Sequence, residues 1–394
     1  MSKWQECQLG DMIRFKRGYD LPHRERAEGK FPIISSSGIS GFHKIAKVKG
    51  PGVVTGRYGT IGEVFYISED FWPLNTSLYV QDFKGNYPRY ISYFLKILDL
   101  GSQNVAGAVP GVNRNALHKL MVRKPALPVQ RKIAAVLSAY DDLIENNTRR
   151  IVLLEKMAEE IYREWFVRLR FPGHEQTTFH KGIPEGWSVE KIGSFSQEIR
   201  TGVKVKDLDS STKYLGLEHL PRKSILVREF STIDSVQSDK LLFNNGYILF
   251  GKIRPYLHKV ALAYFSGACS SDTIVIRPKY RYCEGFLLFT IFSNTFIELA
   301  TISSKGTKMP RADWNFLEKL EIVLPSQKIL EEYQEKFEIY FSLMSNLSRI
   351  NEKLQQTRDR LLSRLISGKL SLEDLDIQFP PSMIDSPSPA QGQA

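Results

Sequence analysis

Two stretches of this chain carry apolar residues at alternating spacings of four and three. Between residues 129 and 170 the series is Ile133, Leu137, Tyr140, Ile144, Asn147, Ile151, Leu154, Ala158, Ile161 and Trp165. Between residues 325 and 370 it is Tyr333, Phe337, Tyr340, Met344, Leu347, Asn351, Leu354, Arg358, Leu361 and Leu365. A side chain every 3.5 residues stays on one side of a helix, so each stretch predicts a long helix with a heptad seam that a second helix would cover. Pro128 and Pro325 stand at the starts, where a missing N–H costs nothing. Each seam holds one asparagine, Asn147 and Asn351, and a buried polar residue there lowers stability while fixing register. A helix from residue 130 to 169 would be about 60 Å long. That exceeds the core of a small domain, so the pattern reads as a strut.

The rest of the chain is patterned differently. Short β-branched and aromatic runs, such as GVVTGRYG, SLYVQDF, YILFGKI and DTIVIRP, are separated by Gly, Asn, Pro and Ser clusters. Helical stretches (YPRYISYFLKIL, CEGFLLFTIFSNTFIELA) follow them, which predicts mixed α/β domains. The pattern also occurs twice. KWQECQLGDM at Lys3–Met12 matches GWSVEKIGSF at Gly186–Phe195, and GVVTGRYGTIGEVFY at Gly52–Tyr66 lines up with GYILFGKIRPYLHKV at Gly246–Val260. VPGVNRNALHKL at Val109–Leu120 matches MPRADWNFLEKL at Met309–Leu320, and LPVQRKI at Leu127–Ile133 corresponds to LPSQKIL at Leu324–Leu330. Four matches in one order point to an internal repeat. The expected division is a domain over 1–128, a helix over 129–170, a linker over 171–185, a second domain over 186–324, a second helix over 325–370 and a disordered Pro/Ser/Gln-rich tail over 371–394.

Composition narrows the partners. The net charge is +11 over 394 residues, with 54 Lys+Arg against 43 Asp+Glu, which favours a polyanion. The charge sits in the two domains: 18 basic against 10 acidic residues over 1–128, and 19 against 15 over 182–325. Cys7, Cys269 and Cys283 form no CxxC pair, so they read as reduced thiols and not as a disulfide framework or zinc site. No run reaches the roughly 18 apolar residues of a membrane helix, and no signal-peptide pattern opens the chain. A cytoplasmic protein without membrane association is expected.

Catalytic signatures are missing. There is no HExxH, GxSxG or GxGxxG after a strand, nor the Asn-Pro-Pro-Phe or Asp-Pro-Pro-Tyr motif of adenine methyltransferases. Gly246–Ile253 fits GxxxxGK, but Ile253 stands where a Mg²⁺-binding hydroxyl belongs and the intervening residues are apolar, as in a buried strand. The seven histidines have no ligand spacing, and no metal site is predicted. What remains are hydrogen-bonding and basic residues beside glycines. Gly56–Gly62 offers Arg57, Tyr58 and Thr60, with Ser36 and Asn113-Arg114 in other loops. The second unit offers Lys252, Arg254, Tyr256 and His258, then Lys305, Lys308 and Arg311. Arginine can grip guanine O6 and N7, and asparagine can do the same for adenine, so the set reads as a DNA-binding face presented twice.

With these features the chain resembles the specificity subunit of type I restriction–modification enzymes. The likeness rests on the duplication, the LP-x-Q openings at Leu127 and Leu324, GRYGTIG, EWFVRLRFPGHE at Glu164–Glu175 with the following GIPEGW, and LLSRLISGKL at Leu361–Leu370. It implies an α+β fold: two mixed α/β target-recognition domains separated by two long antiparallel coiled-coil helices, with an internal pseudo-twofold repeat. It implies a non-catalytic subunit that reads an asymmetric, interrupted sequence in double-stranded DNA. Two modification (methyltransferase) subunits would bind S-adenosylmethionine, motor–nuclease subunits would bind ATP and Mg²⁺, and this chain would bind no cofactor. GKIRPYL in place of GRYGTIG departs from the pattern and implies that the two domains read different sequences. The alternative is a basic coiled-coil scaffold or regulator that binds nucleic acid without methyltransferase partners.

Overall fold

The computed structural model describes residues 4–98, 100, 111–236, 238–304, 306 and 309–384. In the first repeat a four-stranded antiparallel sheet has the order Arg14–Arg17, Ser77–Asp82, Gly52–Gly56, Val64–Ile67. In the second the order is Ser196–Ile199, Thr273–Pro278, Ile248–Gly251, Val260–Leu262. The orders agree strand for strand, so the repeat in sequence is a repeat of topology. The central strand of the first sheet has two buried faces. Val53 packs with Tyr90, Ile91 and Phe94 around the helix Pro88–Ile97, while Val54 packs with Ile34, Phe71 and Tyr79 on the other side. This is the period-two alternation of a strand, with both faces covered. The smaller sheet has three strands in the first domain and five in the second.

A two-stranded ribbon ties the beginning of each domain to its end: Gln5–Gln8 with Met121–Lys124, and Ser188–Lys191 with Glu321–Leu324. The Leu9 N–H donates to the Leu120 carbonyl at 2.8 Å, and the Ile192 N–H to the Leu320 carbonyl at 3.0 Å. Each ribbon therefore delivers the chain to the start of a long helix at the same point of the fold.

The first long helix runs Leu127–Tyr162 and closes in a π-helical turn, Arg163–Val167; the second runs Gln327–Ile366. Every predicted seam position is buried or half-buried. The chain divides into two compact units, Met1–Glu145 with Glu352–Ala394, and Asn146–Asn351. Each unit holds one domain and a part of both helices. In the first, Ile133, Ala134 and Leu137 share a core with Leu362, Leu365 and Ile366, and Arg358 donates to Asp141 at 2.7 Å. In the second, Asn147 donates to Asn351 at 2.9 Å, and the rings of Trp165 and Phe166 lie 5.8 and 4.8 Å from Tyr333. As one residue number rises its partner's falls, so the pairing is antiparallel within each unit. The helices are not bare struts as the heptads alone suggested. Their seams are wide and aromatic enough to enter the domain cores, and the boundaries shift accordingly.

Glutamines at the helix starts dock the domains. Gln130, buried, accepts from the Tyr87 N–H at 3.0 Å and donates to Asn86 at 2.8 Å. Gln334, also buried, accepts from the Gly285 N–H at 2.9 Å. The expected linker over 171–185 is ordered: Phe171 is buried against Trp187 at 4.8 Å, and Phe179–His180 pairs with Ile183–Pro184. The expected tail disorder from residue 371 needs correction over 371–384. Leu372 is buried in the first core, Lys132 donates to the carbonyls of Glu373 and Leu375, and Pro381–Ile384 is helical. Its Pro and Ser content concealed these anchors. Residues 385–394 lie outside the described residues.

Candidate nucleic-acid interface

In each domain the loop that leaves the central strand crosses the segment preceding a short helix. In the first, the Arg57 N–H donates to the Thr76 carbonyl at 2.9 Å, and the Val112 N–H to the Arg57 carbonyl at 3.1 Å. In the second, the Lys252 N–H donates to the Asp272 carbonyl at 2.8 Å, and the Ala312 N–H to the Lys252 carbonyl at 2.9 Å. Backbone bridges Tyr58 to Gly111 and Ile253 to Arg311 complete the parallel. We call this three-segment crossing the junction. Its hydrogen bonds make Gly56 the counterpart of Gly251, Arg57 of Lys252, Thr76 of Asp272 and Gly111 of Arg311. The alignment that placed Gly52 on Gly246 is therefore one residue out of step in this region.

The junction backbone is specified locally. Gly56 has no room for a side chain, since a Cβ would fall 1.8 Å from the Thr60 carbonyl. Beyond it Gly59 and Gly62 take left-handed conformations, at φ 79° and 96°. Counting outward from each strand, Arg254 and His258 hold the corresponding places at φ 51° and 53°, which L-residues adopt only at a cost.

The predicted residues then sort by what surrounds them. Arg57 is half-buried, and its guanidinium lies 4.5 Å from the centre of the Tyr58 ring. That ring is seated on Gly111, where a Cβ would come within 2.4 Å of it. Thr60 and Arg114 are exposed, and Ser36 reaches the same loop, its hydroxyl 3.4 Å from where a Gly59 side chain would start. In the second domain Arg254 and Tyr256 are exposed and Lys252 is half-buried. Arg311 extends its Nε towards Asp272 at 3.6 Å.

Two assignments need correction. His258 is 6% exposed, its ring 4.6 Å from Phe292 and its Nε2 2.7 Å from the Phe292 carbonyl; it is a core residue. Asn113 accepts from the Asn115 N–H at 2.9 Å as the cap of the helix Arg114–His118. Its amide oxygen holds the cap, which gives the residue a structural role in place of the free two-ended grip on adenine that the sequence suggested. Asp313 caps the matching helix, accepting from Asn315 at 3.1 Å. Lys305 and Lys308 lie outside the described residues. Sequence reasoning missed Arg17, which ends the first strand of the first sheet, and Arg200, which follows that of the second; Arg200 pairs with Glu198 at 2.7 Å and lines a recess of about 220 Å³ with Lys252, Arg311 and Trp314. Register, not motif, brings Arg200 there.

Among the described residues no group of three or more His, Cys, Asp or Glu could hold a metal ion. Burial pushes the Cys269 and Cys283 thiols up to about 12, far from reactive thiolates.

Residues 1–156 match the family described as the type I restriction modification DNA specificity domain. Relatives named as type I specificity subunits match far more of the chain. That of MjaIX from Methanocaldococcus jannaschii is 25% identical over 77% of this chain and 74% of its own length. That of EcoDI from Escherichia coli is 22% identical over 94% of this chain and 89% of its own. The chain is thus similar to type I specificity subunits over most of its length. The crystal structure of the S subunit of a type I system from M. genitalium shares its fold, with a TM-score of 0.57 at 13% identity over 93% of this chain and 96% of that one. In this chain the junctions are the basic, loop-built places of the two domains.

Proposed function

We propose that this specificity subunit reads an asymmetric, bipartite target in double-stranded DNA, one half per domain. It would position two adenine-N6 methyltransferase subunits there and, through them, motor–nuclease subunits. S-adenosylmethionine, ATP and Mg²⁺ belong to those partners, and this chain supplies no chemistry of its own. The observation that carries the reading is the junction built twice on one topology with different side chains. A shared crossing with divergent tips suits two readers of two sequences.

In the first domain Arg57 is the base-reading group. Its fork can donate twice to guanine, and the Tyr58 ring beneath it limits how far it swings. Arg114, exposed on the short helix, suits a phosphate, which positions the domain without selecting sequence.

The test is the methylation motif of the assembled modification complex, read base by base with Arg57→Ala in place. Discrimination at one position in one half should fall by roughly 5- to 150-fold, the equivalent of a lost bidentate contact of about 1–3 kcal/mol. The other half should be unchanged. Equal change in both halves, or in neither, would overturn the assignment.

A further inference from the structure

The second junction has no arginine at the place of Arg57; Lys252 stands there instead. We infer that the second domain's base-reading group is Arg311, brought in from the other segment of the junction, and that Asp272 is the positioning residue that aims it. The inference rests on the proposed reading of DNA by each domain.

Three observations support it. First, Arg311 replaces Gly111, the residue that leaves space for the Tyr58 ring in the first domain, and Ile253 replaces Tyr58. The ring and the guanidinium stacked on it are both lost, and an arginine returns on the segment that had none. Second, Asp272 replaces Thr76, whose carbonyl takes the same backbone hydrogen bond. Its carboxylate meets Arg311 through Nε at 3.6 Å, leaving the two terminal nitrogens of the fork for a ligand. Third, the two acids that line the recess beside Arg311 are engaged elsewhere. Glu198 pairs with Arg200 at 2.7 Å, and Asp313 caps its helix. Asp272 is the acid that pairs with Arg311.

A guanidinium held from its Nε side presents a flat pair of donors. Guanine offers two acceptors, O6 and N7, in the major groove, whereas adenine sets its N6 amino donor against the fork. The pair therefore selects guanine at one position of the second half-site. As an exposed ion pair it contributes little to folding, so its removal should leave the domain intact.

The experiment uses the whole modification complex with S-adenosylmethionine. N6-methyladenine motifs are mapped for the natural chain, Arg311→Ala, Arg311→Lys and Asp272→Asn, with thermal unfolding of each as a control. Arg311→Ala should cost about 10-fold or more in guanine preference at one second-half position. Arg311→Lys should not restore it, because an ammonium lacks the fork. Asp272→Asn should relax the same position by several-fold without moving the melting temperature, a signature that a merely structural acid would not give. An unchanged motif in Arg311→Ala, no guanine in the natural second half, or a uniform loss on all sequences in Asp272→Asn would each overturn the inference and leave the two-domain reading standing. A natural complex that methylates with no two-part motif would instead overturn that reading.

Discussion

The first domain holds 18 basic residues against 10 acidic, the second 19 against 15, and the junctions show where this difference falls. In the first, Arg57 rests on an aromatic ring, and the counterparts of Asp272 and Asp313 are the neutral Thr76 and Asn113. In the second, Arg200 and Arg311 each face a carboxylate. In one domain the arginine stacks on a ring and in the other it is ion-paired, and on the proposed reading these contacts aim it. A cation–π pair keeps the positive charge available to phosphates, whereas an ion pair offsets it locally. The backbone crossing is held constant while the means of aiming varies, which lets one fold present different readers.

The domains also differ in how they grip the helices, and that difference gives the largest expected effect. In the second unit Glu155 accepts from the Ser224 hydroxyl at 2.6 Å and from the Ile225 and Leu226 N–H groups at 3.1 and 3.0 Å, with Arg228 at 3.3 Å. Burial raises its pKa, and these partners oppose the rise. Glu155→Ala strands two backbone donors and Arg228, and should cost about 3 kcal/mol. In the first unit the tie is instead Arg358 to Asp141, which also accepts from Tyr93. Thermal unfolding of the full chain followed by limited proteolysis should show residues 146–351 opening first in Glu155→Ala. Simultaneous opening of both units would mean that they are not separately anchored.

How far this was legible in the sequence depended on which physical rule carried the signal. Every position the heptads named is buried or half-buried, because a helix has a fixed period and the seam runs long. The ends of the repeat were legible too, since Trp4, Gly10 and the LHKL/LEKL pair flank ribbons of equal length. The middle was not. Runs such as VVTG and ILFG are interchangeable apolar strands, a one-residue slip leaves both looking plausible, and only ladder hydrogen bonds fix the register. The helix starts misled in a related way. LPVQ and LPSQ align Gln130 with Gln327, yet Gln334 does the docking, seven residues further on. A heptad insertion preserves the buried face, so the pattern conceals it. His258 and Asn113 were polar residues beside basic ones, and nothing local distinguishes a core histidine or a helix cap from a base contact.

Acid provides the next comparison. His118 accepts the Phe15 N–H on Nε2 at 3.0 Å, so its ring is neutral there and protonation breaks that bond. Burial lowers its pKa, and Arg114, Lys84 and Arg14 lower it further. Burial also lowers that of His258, but the Phe292 carbonyl, which accepts from its ring, works the other way. With folded values below 6.5, each histidine binds fewer protons folded than unfolded between the two values. The stability it supports is complete above pH 6.5 and falls as the pH drops below it. The first unit, whose histidine loses a bond on protonation, should lose more. Hydrogen exchange at pH 7.5 and 5.5 would check this; greater loss around His258 would reverse the ranking.

The smallest effect separates two arginines of the second loop. Arg254 occupies the left-handed place that Gly59 fills in the first domain, so Arg254→Gly should relieve strain worth about 1 kcal/mol. Part of that gain is returned because a glycine loses more freedom on folding. The melting temperature should therefore rise by a few degrees at most. If Arg311 reads the second half-site, the motif of Arg254→Gly remains as it was, and any loss of affinity is shared by all sequences, as for a phosphate contact. The exposed side chain of Arg254, at the loop tip, suits that part. Loss of one second-half base preference in Arg254→Gly, with Arg311→Ala silent, would place the reader on the strained residue. The cost of the left-handed backbone would then serve to aim a side chain, and the junction's crossing segment would be scaffold alone.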